Sequence, residues 1–281
     1  MNKLTVRHVA ARCGQRLVLD GVCLHVRKGE FVGLLGANGS GKSTLLRTLA
    51  GLRKPDQGVV MLGERPLVRY KSKELAKMIG YVPQDISCDF DFTVREIVRM
   101  GRHPHTPRFR AESPGDRAAV RRALRQTQLL ELSGRSVREL SGGQRQMVFI
   151  AKALAQEPEL LLLDEPISAL DIRHQLQVLE LIRLVAGSGT ASVAALHDLN
   201  LAARYCDRLV LLAEGRVLAD GRPKEVLTEA RIRMAYGVKS RVHRDDLLGA
   251  VQVTALEPDH EPIHNREGET VESAQQKKAA Q

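Results

Sequence analysis

A chain of 281 residues, 43% of them apolar, can build one large hydrophobic core or two small ones. The net charge of +10 is concentrated between Arg95 and Arg125, but aromatic residues are only 3% of the chain, too few to stack bases, so a nucleic-acid face is not expected. No apolar run approaches the roughly 18 residues that cross a bilayer. The four cysteines, Cys13, Cys23, Cys88 and Cys206, lack C-x-x-C spacing, which excludes a zinc knot or a disulfide framework.

In chain order, "LTVRHVA" and "LDGVCLHV" alternate apolar and polar residues and predict an antiparallel pair of strands. The N-terminus "MNKLTVRHVA" reads as a strand and has no signal-peptide core. "EFVGLL" is a buried strand feeding a turn, and "KSTLLRTLAGL" has helical spacing that stops at Gly51. From about Thr93 the texture is helical, in "TVREIVRMG" and "DRAAVRRALRQTQLLEL". Buried strands return from Glu159, as "LLLLDEP", "ASVAALHD" and "RLVLLAEG", alternating with helices. This order predicts an α/β core interrupted by a helical insert, about residues 85–158, within one domain over residues 2–257. Residues 258–281 are polar and core-poor and are expected to be a disordered tail.

The stretch "GANGSGKST" lies between that first buried strand and its helix, the context in which G-x-x-x-x-G-K-[ST] cradles phosphate. Gly36, Gly39 and Gly41 let backbone N–H groups turn inward, and Ala37, Asn38, Ser40 and Thr44 complete the cradle. The helix starting near Lys42 adds its positive dipole end. Lys42 reaches the outer phosphates and the Ser43 hydroxyl takes a place on Mg²⁺, so the expected ligand is a nucleoside triphosphate with Mg²⁺. "LLLLDEP" delivers two acids at a strand tip, Asp164 to bind Mg²⁺ through water and Glu165 to polarise the attacking water. "AALHD" delivers His197 in the same way, placed to sense the γ-phosphate. The pair His103 and His105 lacks the further ligands a metal site needs, and His243, His260 and His264 are expected to be solvated.

"LSGGQRQ", residues 140–146, resembles the signature of ATP-binding-cassette (ABC) proteins. Ser141, Gly142, Gly143 and Gln144 then open a helix whose N-terminal N–H groups bind phosphate, by the same physics as the first loop. The resemblance covers residues 2–257, and the other motifs follow the family's order. "YVPQD" looks like the loop whose Gln84 reads the γ-phosphate and joins the Mg²⁺ shell. "SALD" looks like the loop whose Asp171 contacts a partner subunit, and His197 matches the switch histidine. The resemblance implies a P-loop NTPase fold: a RecA-like core, an antiparallel β subdomain and a helical subdomain. It also implies an ATPase working as a head-to-tail ATP sandwich of two copies. One departure is plain: Arg12 or Cys13 stands where the family places an aromatic residue on adenine.

"VREIVRMGRHPH" and "LDIRHQLQVLELI" are similar to ATP-binding subunits of importers for ferric siderophores, haem or cobalamin. That implies permease subunits, a periplasmic or lipid-anchored substrate-binding protein acting through them, and a peripheral position on the cytoplasmic face of the membrane. An exporter subunit, or a soluble ABC-type ATPase of a nucleic-acid or ribosome-associated system, is the alternative. A groove for a permease helix is expected on Phe90, Phe92, Val94, Ile97 and Val98, flanked by Arg95, Arg99 and Arg102.

Overall fold

The computed structural model describes residues 2–85, 91–106 and 112–259; Phe90, Cys88 and the segment beyond Asp259, with His260 and His264, lie outside them. Two long strands, β1 (Asn2–Cys13) and β2 (Arg16–Arg27), form the expected antiparallel hairpin. Strand β4 (Gln57–Leu62) adds to the other edge of β1, and the two-residue β5 (Arg65–Pro66) completes a four-stranded sheet in the order β2-β1-β4-β5.

The second sheet has six strands: β3 (Phe31–Leu35), β6 (Ile79–Val82), β7 (Leu160–Asp164), β8 (Ala191–Ala195), β9 (Arg208–Ala213) and β10 (Arg216–Gly221). Their order is β10-β9-β3-β8-β7-β6, parallel except for β10 at the edge. The three central strands, β3, β8 and β7, are buried along their whole length. This is why they read as continuous apolar runs: both faces of a parallel sheet are covered. Alternation decides which face each residue serves. Phe31, Leu35, Leu161 and Leu163 join the core on the side of the helical layer, whereas Val32, Leu34, Leu160 and Leu162 join the core shared with the antiparallel sheet and α1 (Lys42–Leu49).

A short helix, α2 (Ser72–Met78), leads into β6, and between β6 and β7 the chain forms α3 (Val94–Met100), α4 (Pro114–Gln126) and α5 (Gly142–Ala155), which pack on one another. Each begins with a capping box, on Thr93 with Glu96, Ser113 with Asp116 and Ser141 with Gln144, which satisfies orphan N–H groups at every start. Helix α4 stops at Gln126, short of the expected "LLEL", because Gln128 adopts a left-handed φ of 59°.

The groove expected on α3 is not there. Val94, Ile97 and Val98 are buried in the core of the helical layer, and Phe92 packs against it. Arg102 is buried too. Its Nε donates to Asp116 Oδ1 at 2.9 Å, and its Nη1 to the Ala155 carbonyl at 2.8 Å and Glu157 Oε2 at 2.7 Å. Only Arg95 and Arg99 stay exposed on this helix. The apolar stripe of α3 faces inward, and helical spacing alone does not say which side of a stripe meets solvent.

Helices α6 (Ile172–Gly187) and α7 (Leu199–Tyr205) flank β8 in sequence. After β10 come a single turn, α8 (Pro223–Val226), then α9 (Glu229–Tyr236) and a hairpin of β11 (Val238–Asp245) with β12 (Ala250–Pro258). The hairpin is tied to α7 by Asn200, which donates to the Val253 carbonyl at 3.2 Å and accepts from its N–H at 2.7 Å.

Candidate functional site

β3 ends at Leu35 and α1 begins at Lys42, so residues 36–41 form a loop at the C-terminal edge of the parallel sheet. Gly36 has φ 147°, and a Cβ there would lie 2.4 Å from the Leu212 carbonyl oxygen and 2.5 Å from Ser40 Oγ. Only glycine lets the loop close against β9. Gly41 caps α1 with no side-chain hydrogen bond, which leaves the first-turn N–H groups to an anion.

Lys42 is buried, and its Nζ donates to the carbonyls of Gly36 at 2.7 Å and Ala37 at 3.1 Å. Burial pulls the lysine below its ordinary pKa, against the pull of Glu165 and Asp164. Ser40 Oγ is buried among the same groups with no protein partner.

β7 brings Asp164 to the edge beside this loop. Its Oδ1 accepts from Ser43 Oγ at 2.9 Å and its Oδ2 from Tyr81 Oη at 3.4 Å. Burial raises the Asp164 pKa, while the Ser43 hydrogen bond opposes the rise. The next residue, Glu165, has φ 50°, a left-handed conformation that costs a non-glycine residue about 1–2 kcal/mol. Its side chain is gripped on both oxygens: Gln84 Nε2 donates to Oε2 at 2.8 Å, and His197 Nε2 lies 2.6 Å from Oε1. Gln84 follows β6 and His197 follows β8, the two neighbours of β7, so three adjacent strand tips converge on one carboxylate.

The signature residues open α5, across a small cavity from that convergence. Ser141 is the exposed N-cap of α5; its Oγ accepts from the Gln144 N–H at 3.3 Å, and its own N–H donates to Gln144 Oε1 at 3.1 Å. Gly142 and Arg145 face Gln84 and Glu165 across a cavity of about 200 Å³ whose lining includes no residue of the phosphate loop. Asp171 is exposed and caps α6. The tip of the β1–β2 hairpin is held by Arg53, which donates to the Arg12 carbonyl and, at 3.6 Å, to Cys13 Sγ.

Two contributors escaped the sequence. Tyr81 precedes Gln84 by three residues on β6, and its aromatic ring in an apolar strand carried no sign of a partner. Tyr236, at the end of α9, accepts the Gly36 N–H on its hydroxyl at 2.9 Å, and burial pushes its pKa to about 12. Two hundred residues separate that pair, and no local pattern marks it. His103 and His105 lie in the turns after α3, where His105 Nε2 meets the Gln156 carbonyl at 2.9 Å. Among the described residues no group of three or more His, Cys, Asp or Glu side chains is placed to hold a metal ion.

A glycine-rich loop between β3 and α1, an acid pair at the tip of a neighbouring strand and a parallel sheet with an antiparallel companion define a P-loop nucleotide-binding cassette. The ABC transporter family model matches residues 19–168, and the chain belongs to that family. It is 48% identical over 240 residues to the cobalamin import ATP-binding protein BtuD of Halobacterium salinarum, with 85% of this chain and 60% of that protein covered. The chain thus spans less than two thirds of that relative's length. It is 42% identical over 244 residues to the ferric enterobactin transport ATP-binding protein FepC of Escherichia coli, covering 86% of this chain and 90% of that one. A solved structure of a metal-chelate type ABC transporter in an inward-facing conformation superposes with a TM-score of 0.79 at 30% identity, covering 91% of this chain and 98% of that chain.

Proposed function

We propose that this chain is the ATP-binding, ATP-hydrolysing subunit of an ABC importer that takes up a metal chelate (ferric siderophore, haem or cobalamin) through separate permease subunits. The observation that carries the hydrolytic role is Glu165, held by Gln84 and His197 next to Asp164, Ser43 and Lys42. The similarity to cobalamin and ferric enterobactin import proteins supports the cargo class. No helix among the described residues is long and apolar enough to cross a membrane. The position we propose for the chain is peripheral, on the cytoplasmic face beneath the permease. A binding protein outside the membrane delivers the chelate to that permease and never meets this chain.

Each residue has a defined task. The loop N–H groups of residues 36–44 and the start of α1 receive the phosphates. Lys42 exchanges the Gly36 and Ala37 carbonyls for phosphate oxygens, a stronger, charge-assisted contact. Glu165 accepts a proton from the attacking water, and Gln84 and His197 fix its orientation. Ser43 Oγ and Asp164 Oδ1 are adjacent hard oxygen donors, and Gln84 turns its amide nitrogen to Glu165, which leaves an amide oxygen as its further donor atom, so these residues would fit Mg²⁺. Mg²⁺ held by Ser43, Asp164 and Gln84 would supply positive charge against the outer phosphates.

Ser141, Gly142, Gly143, Gln144 and Asp171 act on the nucleotide of a second copy, in a head-to-tail sandwich. The reading is tested by uptake of ferric siderophore, haem and cobalamin in cells lacking the chain. Wild type should restore one of the three and Glu165→Gln none; restoration of any of them by Glu165→Gln, or of none by wild type, refutes the proposal.

A further inference from the structure

The segment "LDIRHQ" follows the acid pair, and the roles above leave its histidine unused. His174 is the third residue of α6, where its backbone N–H donates to Asp171 Oδ1 at 2.9 Å, an ordinary helix cap. The ring adds two contacts that a cap does not need. Its Nδ1 lies 2.9 and 2.8 Å from the two oxygens of Asp171. An ionised carboxylate only accepts, so Nδ1 carries the proton and donates it. Both interactions of His174 hold the Asp171 carboxyl below its ordinary pKa, the backbone N–H first and the ring second. The ring's other side lies against Gly143 of α5, where a Cβ would come within 2.4 Å of its Cγ and Cδ2. The neighbouring Gln175 Nε2 donates to the Ile167 carbonyl at 3.2 Å, tying the loop between Glu165 and Asp171 back to α6.

We propose that His174 is a positioning residue that joins Asp171 and the N-terminus of α5 into one rigid edge, so that both reach the nucleotide of a second copy together. The inference rests on the sandwich reading above. Asp171 is the exposed N-cap of α6 and Gly143 lies in the first turn of α5, so the ring of His174 touches both elements at their N-terminal ends. Gly143 is the complementary half of the joint: its missing Cβ is the space the ring occupies. Under the sandwich reading the joint acts in trans, on the nucleotide of the second copy.

The test uses the full chain with Glu165→Gln, which is expected to hold ATP without turning it over, and reads ATP-dependent dimer formation by size and light scattering. His174→Ala in that background should weaken the dimer about tenfold, the loss of roughly one charge-assisted hydrogen bond. Nucleotide affinity of the monomer should stay within about twofold, and kcat of the otherwise wild-type His174→Ala chain should fall about tenfold. His174→Asn, whose amide can still donate to Asp171 and whose Cγ still lies against Gly143, should recover part of the dimer, and an unchanged melting temperature in either variant shows that the fold is intact. Dimerisation of both variants as tight as the parent, or a loss of monomer nucleotide affinity equal to the loss of dimer, overturns the role of His174. Failure of Glu165→Gln alone to dimerise with ATP removes the sandwich itself, a separate result read on a separate protein.

Discussion

The strand-tip cluster and the signature edge are built from opposite materials. Asp164 and Lys42 are buried and Glu165 nearly so, each already paired with a neighbour on an adjacent strand or loop. Ser141, Gly142 and Asp171 are exposed, and the side-chain hydrogen bonds of Ser141 and Asp171 reach no further than three residues. A site held at the sheet edge is preorganised whether or not substrate is present. An exposed helix start with its own cap satisfied is a surface waiting for a second body, and it contributes only when something presses against it. On the proposed reading, the chain carries a finished half and an unfinished half of one reaction.

The sharpest way to break that comparison is to remove chemistry from the finished half without disturbing its contacts. Glu165→Gln keeps the shape and one acceptor oxygen, but an amide cannot act as a base. Steady-state phosphate release should fall by about 10²–10⁴-fold, with ATP binding retained in a fluorescence titration. Lys42→Ala should weaken ATP binding itself by about 10- to 100-fold, the worth of a charge-assisted phosphate contact. Ser141→Arg, on the unfinished half, should leave monomer affinity within about twofold and abolish the ATP-dependent dimer, because bulk and charge enter the closed interface.

Smaller effects sharpen the boundary between the halves. Tyr236→Phe removes the acceptor of the Gly36 N–H, and ATP affinity should drop by about three- to tenfold. With no aromatic at Arg12 or Cys13, GTP should compete with ATP within about tenfold, since a stacked ring contributes about 0.5–1.5 kcal/mol. The smallest effect belongs to the helical layer. Asp116 is held down to about 2 from 3.8, first by the Ser113 side chain and then by Arg102. A depressed carboxyl stabilises the fold above its unfolded pKa. That stability should be present above about pH 4 and lost as the pH falls towards 2. Chemical denaturation of Asp116→Asn across that range should show a shallower acid dependence than wild type.

The site was legible where chemistry is local in sequence. Gly36 to Thr44, Asp164, Glu165 and His197 each sit at the end of a buried strand, and an apolar run followed by polar punctuation announces that position. Partnership across the fold was not. Tyr236 reaches Gly36 through packing of the last helix, and the ring of His174 meets Gly143 across a helix–helix contact that neither stretch reveals alone. The inward turn of Val94, Ile97 and Val98 was misread for the related reason that periodicity reports a face but not what it meets. The β11–β12 hairpin and strand β4 fell outside the expectations, since their partly exposed strands interrupt the alternation that marks a half-buried sheet.

The bond between Tyr236 and Gly36 also sets an order of events in time. On the ribosome the phosphate loop is made 200 residues before the tyrosine that holds its first amide. At about 5–20 residues per second, the loop waits roughly 10–40 s for that partner. A nascent or prematurely terminated chain presents the loop with Gly36 unanchored until α9 has emerged and docked.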